Sequence, residues 1–173
     1  MKHIRNFLPL ISEPKPLHAV KNEAADATDV FVYDEIGFWG ITARDMKDVL
    51  VAIKTPVINL RINSPGGGVF DANAMFNQLQ EHSARVVAHI DGLAASAASY
   101  LALAADEVVI APNGMFMIHD PWSWAAGNAR EMQKEAERLE KIRDVLAQTY
   151  VRETGQDIDV INQKMADETW FNA

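Results

Sequence analysis

Residues 85–106, "RVVAHIDGLAASAASYLALAAD", constrain the fold more than any other stretch of this chain. The strand-like run Val86 to Ile90 predicts a strand ending at Asp91-Gly92. Ala94 to Ala105 predicts a helix built mainly of alanine. Such small side chains let a helix lie close against a sheet, and let another backbone approach it. Two hydroxyls fall in this segment. Ser96 stands at the helix start, where free amides and the positive dipole end can stabilise an oxyanion. On this stretch alone a capping or packing serine in an Ala/Ser helix is the first reading, and a nucleophile turn the second. Ser99, three residues on and deeper in the helix, is the weaker candidate.

The rest of the chain alternates strands and helices. "DVFVYDEI" (29–36) predicts a strand and "GFWG" a turn. Thr42 with Asp45 reads as a capping box opening a helix to about Ile53. "VINLRIN" (57–63) predicts a strand, "SPGGG" (64–68) a loop, and Val69 to Glu81 a helix. "EVVIAPNGMFMIH" predicts two short strands around Pro112-Asn113-Gly114. A long helix is expected from about Asn128 to Arg152, stopped by Gly155. Met132, Ala136, Leu139, Ile142, Leu146 and Tyr150 form one apolar stripe on it, facing either the core or another subunit. A short helix follows over about Asp157 to Met165. This alternation predicts an α/β fold with a largely parallel sheet and right-handed crossovers. Residues 1–27, with Pro9, Pro14 and Pro16, read as a mobile N-terminal arm or an oligomer contact.

Length and charge narrow the function. The 173 residues suffice for one domain with its own core. A net charge of −8 argues against a nucleic-acid partner, since phosphate recognition needs a basic face. No apolar run approaches the ~20 residues of a membrane span, and no signal peptide is evident, so residence in the cytoplasm is expected. The absence of cysteine excludes disulfides, a thiol nucleophile and thiolate metal sites.

Two further motifs carry chemistry. In "NSPGGG" three glycines follow a strand and free the backbone to turn its amides outward. Phosphate binding is a rival reading, but no Lys-Ser/Thr follows the glycines as in a P-loop. A plain loop is an equal alternative on this motif alone. In "MFMIHDPW", His119 closes an apolar strand, where it can serve as a general base. His3 and His18 fall in the arm, His82 at a helix end and His89 within a strand. A serine needs a base, and the base needs an orienting carboxylate. The acidic pair Asp167-Glu168 is available.

Taken together, "INSPGGG", "DGLAASAAS" and "MIHDPW" resemble, in order and spacing, the ClpP serine peptidases. The segments "DEIGFWGITA", "PWSWAAGNA" and "ETW" are similar to the ClpP-related head maturation proteases of tailed phages and prophages. The resemblance covers about residues 29–173. It implies a ClpP/crotonase-type fold of repeated strand–helix units, with the long helix as a protruding handle. It implies Ser96 as nucleophile, His119 as base, and the backbone N–H groups of Gly67 and Ala97 as the oxyanion hole. Glu168 falls where the family carries aspartate, and a one-residue slip would select Asp167 instead. Related sequences continue into a further helix and strand, so the 28–173 peptidase domain is expected to be truncated at its C-terminus.

The resemblance also implies hydrolysis of polypeptide substrates by ring-forming homo-oligomers, without metal or organic cofactor. Capsid or scaffold proteins would be the substrates during head assembly in the host-cell cytoplasm. A housekeeping Clp-type degradative peptidase is the alternative. An acyl-CoA enzyme of the crotonase superfamily shares the fold but not the serine and histidine motifs. A Ser/Lys peptidase lacks support, and a non-catalytic shell or scaffold component retaining the fold is the reading from another class.

Overall fold

A computed structural model of the chain describes residues 17–22 and 26–173. The elements run β1 (His18–Asn22), β2 (Ala27–Val32), α1 (Ala43–Ala52), β3 (Val57–Ser64), α2 (Val69–Gln80) and β4 (Arg85–Ala95). They continue with α3 (Ala97–Ala102), β5 (Glu107–Ile110), β6 (Met115–Ile118), α4 (Ala129–Thr154), α5 (Ile158–Ala166) and β7 (Thr169–Asn172). The sheet order is β1-β2-β3-β4-β6-β7, with β5 also paired to β4. Strands β2, β3, β4, β5 and β6 run parallel, while β1 and β7 are antiparallel to their neighbours. The α/β architecture with a largely parallel sheet expected from the alternation of strands and helices is thus present. Among the described residues no helix is long and apolar enough to cross a membrane.

One face of the sheet is dry. Val30, Val32, Ile58, Leu60, Ile62, Val86, Ala88 and Ile90 are all at most 2% exposed. They alternate with half-buried Asp29, Asn59, Arg61, Val87 and His89. Period-2 alternation places each set on its own face. Each fully buried Val, Leu or Ile contributes roughly 1.5–3 kcal/mol relative to exposure. The opposite face carries polar pairs instead: Asn59 Nδ2 donates to Asp29 Oδ1 at 2.6 Å, and Tyr33 Oη donates to Asp91 Oδ2 at 2.6 Å. Arg61 grips the same Asp91 carboxylate through Nε, at 2.8 Å, and Nη2. This explains why "VINLRIN" alternates, where a parallel strand buried on both faces would be apolar throughout.

The helix caps follow the sequence closely. Thr42 Oγ1 accepts from Asp45 N at 3.3 Å, and Asp45 Oδ2 accepts from Thr42 N at 2.9 Å, closing the expected capping box of α1. Asn128 does the same for α4 with Glu131, and Gly155 ends that helix at φ 68°.

The structure differs from these expectations at five places. The strand ending at Ile90 instead runs through Asp91-Gly92 to Ala95, because Leu93–Ala95 find new partners in Met115–Met117. The alanine-rich helix is correspondingly short, Ala97–Ala102 rather than Ala94–Ala105. The strand expected over 29–36 occupies Ala27–Val32; beyond it Ile36 makes only single bridges, to Ile41 and Gly67. Within the expected arm 1–27, residues 18–22 form β1, paired along its whole length to β2. Pro9, Pro14 and Pro16 lie outside the described residues. Beyond the last expected helix, "ETWFNA" contains β7, since Trp170 and Phe171 pair with Met117 and Phe116.

Candidate active site

Strand β4 changes partner halfway along. Val87–Ile90 pair with β5, and Leu93–Ala95 pair with β6. At the second junction Ala95 sits opposite Met117, and Ser96 N donates to Met117 O at 3.0 Å. Two residues beyond Met117, the same strand edge delivers His119. His119 Nε2 lies 2.7 Å from Ser96 Oγ. The sheet register, rather than proximity in sequence, assembles this pair.

Ser96 occupies the cap position of α3, yet its hydroxyl makes no capping bond. It turns to His119 instead, so the reading of Ser96 as an ordinary helix cap does not hold. Its backbone stands at φ 54°, ψ −125°. Holding a non-glycine residue there costs on the order of 1–3 kcal/mol and needs a surrounding structure that over-determines it. That structure is close at hand. A Cβ on Gly66 (φ +91°) would meet Ala95 O at 2.4 Å, Ser96 Cβ at 2.8 Å and Ala97 N at 2.8 Å. Only glycine lets the "SPGGG" loop lie directly on the serine turn. Ser64 Oγ donates to Asp34 O at 2.7 Å and accepts from Gly66 N at 3.1 Å, which anchors the loop.

The two amides expected at an oxyanion are placed as follows. Ala97 is the first residue of α3, so its N–H has no intrahelical acceptor. Gly67 is bridged to Ile36, but through Ile36 N to Gly66 O and Gly68 N to Ile36 O, both 2.7 Å. The Gly67 N–H takes no part in that pairing, and the residue is exposed. Ser96, Ala97 and His119 line a cleft of about 20 Å³, together with Val69, Ala72, Tyr100, Pro121, Leu146 and Tyr150. That is room for about one water. Leu146 and Tyr150 reach it from α4.

The acid is not brought into contact. Glu168 stands at φ 49° and its carboxylate accepts from Trp170 Nε1 at 3.3 Å. Asp167 accepts from Gln163 Nε2 at 2.9 Å. Among the described residues neither carboxylate hydrogen-bonds His119. The β6–β7 pairing ends at Ile118 and Thr169, so Glu168 directly precedes the last paired residue of β7 and His119 directly follows that of β6.

The remaining candidates are elsewhere. His89 lies on the polar sheet face opposite Arg61, and His82 Nδ1 accepts from Ala84 N at 3.0 Å beyond α2. His3 lies outside the described residues. Ser99 is 0% exposed and is bonded to Ser96 O and Tyr150, so it is no rival nucleophile. Sequence reasoning missed the contributions of Gly66, Ser64 and Tyr150. The first two belong to a motif whose glycines were read collectively, and Tyr150 was read only as part of a stripe.

A strained serine at a strand-to-helix turn, hydrogen-bonded to a histidine delivered by the neighbouring parallel strand, defines an α/β protein with a serine–histidine pair at the end of its sheet. The Clp protease family model matches residues 17–173, and the chain belongs to that family. It is 36% identical over 118 residues to the ATP-dependent Clp protease proteolytic subunit of Ligilactobacillus salivarius (strain UCC118), covering 67% of this chain and 60% of that protein. The subunits of the same name from Chaetosphaeridium globosum and Epifagus virginiana are 33% and 35% identical. The match with Chaetosphaeridium covers 69% of this chain and 61% of that protein; with Epifagus the shares are 69% and 62%. The chain therefore spans about three fifths of the length of the curated relatives it matches.

Proposed function

We propose that the protein is a Clp-type serine endopeptidase that hydrolyses polypeptides through an acyl-enzyme. The observation that carries this reading is the 2.7 Å approach of His119 Nε2 to the hydroxyl of a strained, uncapped Ser96. His119 takes the Ser96 proton as the oxygen attacks the scissile carbonyl. The Gly67 and Ala97 N–H groups receive the negative charge that develops on the carbonyl oxygen. His119 then protonates the leaving amine, and water releases the acyl group by the reverse sequence. Glu168 is the acid that orients His119 and stabilises its imidazolium. It does so once its carboxylate leaves Trp170 and the β6–β7 pairing extends by one residue.

Ring-shaped homo-oligomerisation, with α4 projecting from each subunit, and action in the cytoplasm accompany this reading. Degradation of general polypeptide substrates is favoured by the names of the relatives. The narrower role in head maturation, with capsid or scaffold proteins as substrates, rests on the "DEIGFWGITA", "PWSWAAGNA" and "ETW" segments. Labelling with a fluorophosphonate tests the reading. Modification of Ser96 with parallel loss of peptide hydrolysis is expected. A folded protein that takes up no label is a shell or scaffold component instead.

A further inference from the structure

Ser96 and Ala97 share one peptide plane, and that plane is held from below. Ser96 O accepts from Ser99 Oγ at 2.7 Å, from Ser99 N at 3.0 Å and from Tyr100 N at 3.2 Å. Ser99 Oγ also lies 2.8 Å from Tyr150 Oη. A carbonyl can only accept, so the single Ser99 proton goes to Ser96 O, and Tyr150 must be the donor to Ser99. Both residues are buried, at 0% and 5% exposure. Burial pushes the Tyr150 phenol well above its ordinary range, so it keeps its proton throughout the working pH range. Tyr150 belongs to α4 and Ser99 to α3, fifty-one positions apart in sequence.

In a planar trans peptide the C=O and N–H point in opposite directions. Whatever fixes the Ser96 carbonyl therefore fixes the Ala97 N–H on the other side. The plane belongs to a residue at positive φ, which persists only where its surroundings leave no alternative. A serine bonding back to a carbonyl in its own turn is common. A second buried hydroxyl donating into that bond, from another helix, strengthens it cooperatively.

We propose that Ser99 and Tyr150 are positioning residues for the oxyanion site. The chain Tyr150 Oη to Ser99 Oγ to Ser96 O holds the Ser96–Ala97 peptide at the angle that presents the Ala97 N–H to the developing oxyanion. The seating of α4 on α3 is thereby felt at the reacting carbonyl. This rests on the reading of Ser96 as nucleophile and Ala97 N–H as oxyanion donor.

The test compares the full chain with Ser99→Ala, Tyr150→Phe and the double variant. The readouts are kcat and KM on an unstructured peptide, the Ki of a peptide boronate that forms a tetrahedral adduct, and Tm. Loss of a whole oxyanion donor costs about 10²–10³ in kcat, so a misaimed one should cost less: about tenfold in Ser99→Ala and about threefold in Tyr150→Phe. KM should stay within about twofold, while the boronate Ki rises by the factor that kcat falls. The double variant should be no worse than Ser99→Ala, because Tyr150 acts through Ser99. Unchanged kcat and Ki in both variants would overturn the proposal, as would a fall in kcat with the boronate Ki unmoved. Tyr150→Phe keeps the ring and decides alone if Ser99→Ala does not fold. A wild-type chain that takes no fluorophosphonate would instead overturn the nucleophile reading itself.

Discussion

His119 Nε2 stands 2.7 Å from Ser96 Oγ, although twenty-three positions separate the two residues. The contact is a product of sheet register, since Ala95 pairs with Met117, one residue before Ser96 and two before His119. Removing either partner should abolish hydrolysis without unfolding the chain. Ser96→Ala is expected to lower turnover on the order of 10⁶-fold, the scale of nucleophile loss in a triad. Steady-state hydrolysis of a fluorogenic peptide measures this, with circular dichroism to show that the fold is retained. Turnover at wild-type level would place the chemistry elsewhere.

The acid can be assigned by a pair of amide substitutions. Glu168→Gln should cut turnover by roughly 10²–10⁴-fold, by analogy with a triad acid converted to an amide. Asp167→Asn should change little, because its carboxylate is held by Gln163 at the C-terminal cap of α5. The reverse pattern would move the role to Asp167. Near-normal rates in both would make the site a Ser/His dyad.

Gly66 and Gly155 both have positive φ, at 91° and 68°, but differ in surroundings. Gly66→Ala should eliminate fluorophosphonate labelling, because its Cβ would lie 2.4 Å from Ala95 O and 2.8 Å from Ser96 Cβ. Gly155→Ala meets nothing within 4 Å. It should cost only the left-handed backbone penalty, about 1–2 kcal/mol in urea denaturation, with labelling intact. Equal labelling by the two variants would contradict the close packing of the glycine loop on the serine turn.

Helix α4 is two things at once. Leu146, Ala147, Thr149 and Tyr150 are buried, whereas Met132 and Ala136 are exposed and Leu139 and Ile142 half-buried. The expected single stripe therefore divides into a core half and a projecting half. Leu146→Ala should destabilise the fold by about 2–5 kcal/mol. Leu139→Asp should leave stability nearly unchanged and, if the projecting half assembles subunits, shift the particle to smaller species in light scattering. A shift in Tm without a change in particle size would assign Leu139 to the core.

The capping box of α1 gives a pH-dependent prediction. Bonds from the Thr42 hydroxyl, then from its N–H, hold the Asp45 carboxyl below the usual aspartate range. A depressed folded value means that the stabilisation is complete above the unfolded value of about 3.9 and is lost as pH falls through the folded one. Thr42→Ala should cost about 1 kcal/mol at pH 7. The stability gap between wild type and Asp45→Asn should narrow from pH 7 to pH 3 in urea titrations. A constant gap would mean that the charge is immaterial.

Local chemistry determined much of this protein from its sequence. Thr42 with Asp45, Asn128 ahead of a charged helix and Gly155 after it are interactions within a few residues, so the caps of α1 and α4 were legible. So was the alternation of "VINLRIN", because a one-faced sheet imposes period 2. Ser96, His119 and the glycine loop were recognisable from their types and order. What only the tertiary structure decided depends on pairing between distant strands. Asp91-Gly92 reads as a terminus, yet β4 continues because Met115–Met117 offer a second partner, and that continuation shortens α3 and strains Ser96. That Asp167 is held by Gln163 and Glu168 by Trp170, with neither carboxylate on His119, is likewise a matter of local packing that the acidic pair in the sequence cannot reveal. The division of α4 at about Leu139–Ile142 has the same origin. The apolar stripe is continuous in sequence, but only packing against α3 and α5 determines how far along the helix it is covered.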